Sequence, residues 1–360
     1  MSTHRDHRPS APRWLLLSAY QSQSHAYWVA WLQRAFPDID WRVLTLPGRH
    51  FRWRIRGNPL SWVDRLGAAA EGIDGVLATS MVDLATLRGL CPALCRVPNV
   101  YYFHENQFAY PVGANQNPSV EPQIVQLYGA LAADRLVFNS GWNKQSFLDG
   151  VGTLLGRMPD AVPSGIQARL ADRCSVIPVP VDPIPPAPDG SRDGQLIVWN
   201  HRWEYDKAPE RFAEAMLALA GEGAAFRLAL LGPRPARPPE ALAALTGTLG
   251  SRIIANGHVD RRQYESILGR AGFVVSTTLH EFQGLGMLEA VSAGAIPVVP
   301  DALVYPEQYP EAYRYPAGDT NALVQRLERW LYNPPAPPAI DNWLAEAVTP
   351  AWRELLGLPL

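Results

Sequence analysis

Cysteine is scarce in this sequence, and charged residues are few. The 360 residues include three cysteines, too few for a disulfide framework and typical of a reducing compartment. Cys91 and Cys95 have the spacing C-x3-C without a second Cys/His pair, so the sequence does not predict a zinc site. Charged residues make up 18% of the chain, with a net charge of -2, which excludes a uniformly basic nucleic-acid coat and a polyacidic tail.

Long apolar runs are also absent. No stretch approaches the roughly 18 apolar residues of a membrane span, and the N-terminal residues contain no apolar signal-peptide core. We therefore expect a cytoplasmic protein without stable membrane association. No G-x-G-x-x-G motif follows the first apolar run of either half, which argues against a nicotinamide-dependent dehydrogenase.

What the sequence does contain is an alternation of short apolar runs with amphipathic segments. This alternation is typical of parallel sheets covered on both faces. The candidate strands of the first half are Trp14–Ser18, Trp41–Leu46, Gly75–Thr79, Asn99–Phe103, Arg135–Asn139 and Cys174–Val179. Six prolines in the thirteen residues Pro178–Gly190 then indicate a linker. The candidate strands after it are Gln195–Asn200, Phe226–Leu231, Arg252–Asn256, Phe273–Thr277 and Pro297–Pro300.

This pattern predicts an α/β fold of two doubly wound, Rossmann-like domains. We expect the two domains to face a cleft at the carboxyl ends of their strands, where open α/β sheets bind ligands. The predicted boundaries are residues 1–182 for the first domain, 183–194 for the Pro-rich linker, 195–335 for the second domain and 336–360 for a helical tail that could return to the first domain. Dehydrogenases, binding proteins and glycosyltransferases share such an architecture, so particular residues must decide the function.

The most informative motif follows the candidate strand Phe273–Thr277. Glu281 and Glu289 flank seven residues, and Gly284 and Gly286 between them open a helix whose free N–H groups favour a diphosphate. One carboxylate can reach a hydroxyl of the donor sugar, and the other can accept hydrogen bonds from the ribose hydroxyls. The alternative interpretation is an ordinary helix with a solvated glutamate at each end. We predict Glu281 as catalytic, and as donor-binding residues His280, Phe282, Gln283, Gly284, Leu285 and Glu289.

A second polar segment follows the candidate strand Gln195–Asn200. Arg202 and Lys207 can neutralise the pyrophosphate of a sugar nucleotide without a metal, so both are predicted to be catalytic. Asn200 and His201 are predicted to bind the donor. The alternative interpretation is a surface cluster of ion pairs, with the members Arg202, Glu204, Asp206 and Lys207.

Polar residues also follow the first-half strand Asn99–Phe103. His104, Glu105 and Asn106 either line a wet cleft or form an internal hydrogen-bonded network, because burying them unpaired is costly. We predict a catalytic role for His104 and acceptor-side or sugar-side roles for Glu105 and Asn106. Ser24 and His25, which close the loop after the first strand, are assigned to the same side. Ser24 could instead be only a helix N-cap.

Arginines alternate with aromatic residues in the segment Trp41–Gly57. It contains five arginines and no acid, a composition that suits the phosphates and unstacked bases of an RNA loop. The alternatives are a solvated basic loop and ion pairing with acids elsewhere in the chain. The predicted RNA-binding residues are Arg49, Arg52, Trp53, Arg54 and Arg56.

Several of these strings resemble those of the tRNA-queuosine α-mannosyltransferases, a glycosyltransferase-like family within the family 4 retaining glycosyltransferases. The resemblance runs from about Trp14 to Pro310. The matching strings are Ser24-His25; Thr45–Pro47 with Trp53-Arg54; Tyr102–Gln107 with Tyr110–Val112; Val137–Ser140; His201–Glu204 with Asp206-Lys207; His280–Phe282 with Met287–Val291; and Leu303–Glu307.

The resemblance implies a GT-B fold, GDP-mannose as donor and the queuosine of a tRNA anticodon as acceptor. It also implies donor-site roles for Arg202, Lys207, Glu281 and Glu289, with no metal or other cofactor. Two alternatives stay open. One is a family 4 glycosyltransferase acting on a lipid or small-molecule acceptor, and the other is a non-catalytic module that binds a sugar nucleotide or tRNA.

Overall fold

Two six-stranded parallel sheets frame the computed structural model, which describes residues 11–110, 119–188, 191–234 and 239–359. The first unit holds the described residues up to Ala109, those from 119 to Asn139, and Asn143–Ile177. The second unit holds Tyr110, Ser140–Trp142 and the described residues from Pro178 onward. Pro111 and Val112 of the matched strings, and linker residues 189–190, lie outside the described ranges.

The first unit is built on a sheet with the strand order β2-β1-β3-β4-β5-β6. Its strands and helices are, in chain order, β1 (Arg13–Gln21), α1 (Gln23–Ala35), β2 (Asp40–Pro47), α2 (Phe51–Ala69), β3 (Gly75–Thr79), α3 (Leu84–Leu90), β4 (Asn99–Phe103), α4 (Glu121–Ala132), β5 (Arg135–Phe138), α5 (Gly141–Leu155), α6 (Ile166–Ala171) and β6 (Cys174–Val176). Every residue of β3 and β4 is buried, as expected for central strands with helices on both faces.

Helix α2 shows that the segment Trp41–Gly57 is not the basic loop that was considered as an alternative. The chain leaves β2 at Pro47 and enters the helix at Phe51. Ile55, Trp62 and Leu66 lie on one face of α2 and are buried in the core of the first unit. This burial holds the helix together although Pro59 stands inside it, where proline costs about 3 kcal/mol.

The second unit is built on a sheet with the order β12-β11-β10-β7-β8-β9. Its strands and helices are, in chain order, β7 (Asp193–Trp199), α7 (Pro209–Gly221), β8 (Arg227–Leu230), α8 (Glu240–Leu249), β9 (Ile253–Asn256), α9 (Arg261–Arg270), β10 (Ala271–Val275), α10 (Leu285–Ser292), β11 (Ile296–Pro300), α11 (Tyr305–Gln308), β12 (Arg314–Tyr315), α12 (Thr320–Tyr332) and α13 (Ala345–Leu355). Apolar cores lie on both sides of this sheet.

The strand order of each sheet reverses at one point. In the second unit β7 pairs with β10, while β8 lies on one side of this pair and β11 on the other. The connections from β7 to β8 and from β10 to β11 therefore run to opposite sides of the pair, and doubly wound sheets bind ligands at the carboxyl edge of such a point. The predicted α/β class with two Rossmann-like sheets is confirmed. Within the described ranges, no helix is both long and apolar enough to cross a membrane.

Candidate functional site

Hydrogen bonds join the loops that follow β7 and β10. The backbone N–H of Leu279 donates to the carbonyl oxygen of Asp206 over 2.8 Å. The hydroxyl of Thr278 donates to the same oxygen, and the hydroxyl of Thr277 donates to the carbonyl oxygen of Lys207 over 3.0 Å. The two polar segments found in the sequence therefore form one structural element.

Lys207 and Glu281 make direct contact within this element. Lys207 Nζ donates to Glu281 Oε2 over 3.1 Å and to the carbonyl oxygen of His280 over 2.8 Å. Burial alone would raise the pKa of Glu281, but the charge and hydrogen bond of Lys207, together with the nearby His201 and His280, outweigh it and lower this pKa to about 2. The carboxylate is therefore ionised at neutral pH, beside a buried ammonium group.

Arg202 reaches this pair through Asp206. Arg202 Nη2 lies 3.8 Å from Asp206 Oδ2, and Lys207 Nζ lies 3.4 Å from the same oxygen, so Asp206 attracts both cations without a hydrogen bond. Arg202 also pairs with Glu204 over 2.9 Å. The ion-pair cluster considered as an alternative is therefore present, but Asp206 and Lys207 are buried members of it.

Two buried histidines lie beside these charges. Burial, reinforced by the charge of Lys207, lowers the pKa of His201 to about 3 and that of His280 to about 4. Both rings are therefore neutral at physiological pH. The ring of His280 packs against Phe282 at 4.5 Å and against Tyr110 at 4.3 Å between centroids. Within the described residues, neither histidine Nε2 has a hydrogen-bond partner.

Helix α10 begins at Leu285 with an open N-terminus. Gly284 precedes it with φ +66°, a left-handed conformation that glycine adopts without strain, and no described side chain caps the helix. At Gly286 a Cβ atom would lie 3.0 Å from Asn200 Nδ2, so glycine permits this close approach. The arrangement leaves backbone N–H groups available to an anion.

Glu289, on the same helix, is fixed by two residues that the sequence analysis missed. Arg261 Nη1 donates to Glu289 Oε1 over 2.7 Å, and the hydroxyl of Tyr264 bonds to Oε2 over 2.9 Å. Asn200 Nδ2 donates in turn to the Tyr264 hydroxyl and to the carbonyl oxygen of Gly286. Arg261 and Tyr264 lie at least 25 residues before Glu289, so no local motif signals this contact.

Gln283, predicted to bind the donor, uses its side chain inside the protein. Its Oε1 accepts from the backbone N–H of Val179 over 3.0 Å, and its Nε2 donates to the carbonyl oxygen of Val179 over 2.6 Å. Gln308 donates to the carbonyl oxygen of Gln283. The Gln283 side chain therefore anchors the proline-rich segment to the second unit.

In the first unit, His25 and His104 lie with their ring centroids 4.1 Å apart. Ser22 occupies the N-cap position of α1, and its Oγ lies 2.7 Å from His25 Nδ1. The N-cap alternative considered for Ser24 is wrong, because Ser24 lies one residue inside the helix. Burial lowers the pKa of His25 to about 4 and that of His104 well below its ordinary value.

The residues of the loop after β4 do not share one environment: Asn106 belongs to an internal hydrogen-bonded network, and Glu105 is partly exposed. Asn106 is fully buried, and its amide donates to Asn143 Oδ1 over 2.9 Å and to Ser146 Oγ over 2.9 Å. Its Oδ1 accepts from two backbone N–H groups, so Asn106 shapes the loop and has no free donor. The neighbouring residues differ, since Glu105 is partly exposed and His104 Nε2 has no partner in the described ranges.

The predicted RNA-binding arginines differ in their exposure and in their pairing with acidic side chains. Arg49 and Arg52 are exposed, whereas Arg56 pairs with Asp83 and Glu121. Arg54 is half-buried, and its Nε has no partner in the described structure. Trp53 is 50% exposed, and its ring lies where a Cβ on Gly57 would come within 2.6 Å. Glycine at position 57 therefore lets the ring lie along the helix.

The described ranges hold no cluster of metal-ligating side chains. No group of three or more His, Cys, Asp or Glu side chains there comes together in a way that could hold a metal ion. Lys207 and Arg202 contribute positive charge at the loops that follow β7 and β10.

Two family models match consecutive parts of the chain. Residues 13–181 match the model described as tRNA-queuosine alpha-mannosyltransferase N-terminal. Residues 194–333 match the model described as Glycosyl transferases group 1. A Drosophila melanogaster protein described as tRNA-queuosine alpha-mannosyltransferase is 32% identical over 327 residues, covering 88% of this chain and 86% of that protein.

Solved structures define the fold family. Sucrose-phosphate synthase from Thermosynechococcus elongatus superposes with a TM-score of 0.71 at 16% identity, covering 96% of this chain and 98% of that one. HepE from Anabaena, solved with UDP, gives a TM-score of 0.69 at 14% identity, covering 96% and 99%. At such identities the likeness concerns the fold alone, and it confirms the predicted GT-B fold.

Proposed function

This chain belongs to the tRNA-queuosine alpha-mannosyltransferase family and is a glycosyltransferase, and we propose that it transfers mannose from GDP-mannose to queuosine in a tRNA anticodon. The observation that carries the proposal is the contact between Lys207 and Glu281 at the loop that leads into α10. It combines a cation for the diphosphate with a carboxylate for sugar hydroxyls.

In this proposal the second unit holds the donor. The open N-terminus of α10 and the cations Lys207 and Arg202 bind the diphosphate, and Glu289 accepts hydrogen bonds from the ribose. Negative charge grows on the diphosphate as the bond to the mannose C1 breaks. Fixed cations and N–H groups stabilise this charge, so the reaction needs no metal in this scheme.

The proposed reaction retains the configuration at the mannose C1. A hydroxyl of the queuosine cyclopentenediol attacks C1 on the face that the diphosphate leaves, and its proton passes to a phosphate oxygen. Glu281 accepts hydrogen bonds from the mannose hydroxyls. His25 and His104 are neutral at physiological pH, and the Nε2 of each has no hydrogen-bond partner among the described residues. Each imidazole can therefore accept a hydrogen bond from the acceptor diol through Nε2.

Helix α2 supplies the proposed tRNA contact. Arg49 and Arg52 are exposed at its start and suit phosphates, and the half-exposed ring of Trp53 suits stacking on an unpaired base. Arg56 contributes less in this scheme, since Asp83 already neutralises it. A glycosyltransferase for a lipid or a small molecule has no need of such a surface.

Mass spectrometry of nucleosides tests the proposal. Purified tRNA with and without queuosine is incubated with the protein and GDP-mannose, then digested. We expect a gain of one hexose on queuosine alone, and only in the queuosine-containing tRNA. Transfer to a lipid extract instead would overturn the acceptor assignment. No transfer and no hydrolysis of GDP-mannose would favour a non-catalytic binding module.

A further inference from the structure

The carboxylate of Glu289 is held at both of its oxygens. Arg261 Nη1 lies 2.7 Å from Oε1, and the hydroxyl of Tyr264 lies 2.9 Å from Oε2. An ionised carboxylate has about four lone-pair directions, so each oxygen keeps one that Arg261 and Tyr264 do not use. Two parallel acceptors held in this way match the two adjacent hydroxyls of a ribose.

The hydrogen bonds around Tyr264 have a defined direction. Asn200 Nδ2 can only donate, and it lies 3.1 Å from the Tyr264 hydroxyl oxygen. The proton of that hydroxyl is therefore free to point at Glu289. Asn200 Nδ2 also donates to the carbonyl oxygen of Gly286, which ties Tyr264 to the first turn of α10.

Arg261 is oriented by its own contacts. Its Nε donates to Glu265 over 2.6 Å, and its guanidinium lies 5.6 Å from the centroid of the Tyr264 ring. Asp260 caps α9 by accepting from the backbone N–H of Gln263, so the helix begins at Arg261. Arg261 and Tyr264 are therefore three residues apart on one face of the helix.

We propose that Arg261 and Tyr264 are positioning residues that hold Glu289 for both ribose hydroxyls and make the site selective for ribonucleotides over 2′-deoxyribonucleotides. This inference rests on the proposed donor role of Glu289. Glu289 is 18% exposed and so within reach of a ligand. The selectivity arises because a nucleotide without the 2′-hydroxyl leaves the remaining lone pair of one Glu289 oxygen without a hydrogen-bond donor.

Calorimetric titration tests this inference with GDP, UDP and their 2′-deoxy forms. The wild-type protein should bind the ribose form of GDP or UDP about tenfold more tightly than its deoxy form. Tyr264→Phe removes only the hydroxyl and should reduce this ratio at least threefold. Arg261→Ala should act in the same direction. The matched control is Arg262→Ala, because Arg262 is the exposed neighbour on the same helix.

Three results would overturn the inference: equal binding of ribose and deoxyribose forms by the wild type, binding of neither GDP nor UDP, or an equal loss for both forms in Tyr264→Phe. The last result is what a purely structural role predicts. In steady-state assays Tyr264→Phe should raise KM for the donor with little change in kcat. If the wild-type protein transfers no hexose to tRNA but still prefers the ribose forms, the proposed function is refuted and this inference stands.

Discussion

Lys207 Nζ lies 3.1 Å from Glu281 Oε2, between the loops that follow β7 and β10. Lys207 is one of only two lysines among the 32 Lys and Arg residues of the sequence, and it is buried. Its position depends on hydrogen bonds from both loops. The contact therefore depends both on the correct assembly of the two loops and on the positive charge of Lys207.

Replacing Lys207 by alanine should lower kcat by about 100-fold or more, because an electrostatic contact to the leaving diphosphate is lost. Lys207→Arg keeps the charge but brings a larger, planar group into a buried site, so partial activity is expected. Initial rates of hexose transfer measure both effects. Lys144→Ala, at the other lysine, is the matched control and should keep wild-type rates. Near-normal rates in Lys207→Ala would assign the phosphate contact to other residues.

Gln283→Leu should reduce stability and leave donor affinity almost unchanged. The variant removes both hydrogen bonds to the backbone of Val179, which is buried, and unpaired buried groups cost about 1–3 kcal/mol each. We expect the free energy of unfolding to fall by about 2–4 kcal/mol on that basis, measured by urea denaturation. Gln263→Ala, at an exposed glutamine, is the control. A KM for the donor raised tenfold in folded Gln283→Leu would instead support direct donor contact.

Most strands could be predicted from the sequence, because each is a short apolar run between polar turns. Gly75–Thr79 and Asn99–Phe103 were predicted at their observed bounds, and the other predicted strands lie within a few residues of the observed ones. The two-residue strand β12 was not predicted. Helix α2 was not predicted, because Gly57 and Pro59 disfavour a helix and the arginines before them alternate with apolar residues at a spacing of two, which is not the helical period. The helix forms because the buried side chains of its inner face, such as Trp62, pack on the sheet.

The site was predictable where it follows a strand directly. Arg202 and Glu281 occupy loops at the carboxyl edge of the second sheet, and parallel strands bring such loops together. The hydrogen-bond partners of other site residues, such as Glu289 and His25, were harder to predict from the sequence. Arg261 and Ser22 are ordinary surface types in the sequence, and only the packing of α9 on α10 and the N-terminus of α1 brings them to Glu289 and His25.

Replacing both Arg49 and Arg52 by alanine should weaken tRNA binding and its dependence on salt. Each lost phosphate contact should reduce the slope of log K against log salt concentration by about one. Filter binding at several salt concentrations measures this slope. Arg157→Ala, at an exposed arginine of the same unit, is the control. An unchanged slope would show that the start of α2 does not contact RNA.

Acidification should destabilise both units, because each buries two neutral histidines. Burial lowers the pKa of His25 to about 4, and burial lowers the pKa values of His201 and His280 to about 3 and 4, from an ordinary value of 6.5. Below pH 6.5 the unfolded chain binds protons that the folded chain excludes. Stability present above pH 6.5 is therefore lost as the pH falls towards 4, by up to about 3 kcal/mol per pH unit for two such groups.

Urea unfolding at pH 7.5, 6 and 5 measures this loss for wild type and for His25→Gln. The variant cannot gain a proton at position 25, so its stability should fall less steeply over this range. His258→Gln, at an exposed histidine, should follow the wild type. His104 lies against His25, and the pKa of His104 is lowered mainly by burial and to a smaller extent by repulsion from a protonated His25 ring. A slope in His25→Gln equal to that of the wild type would mean that the folded state admits a proton on this pair, and that at least one of these rings can act as a cation at the acceptor.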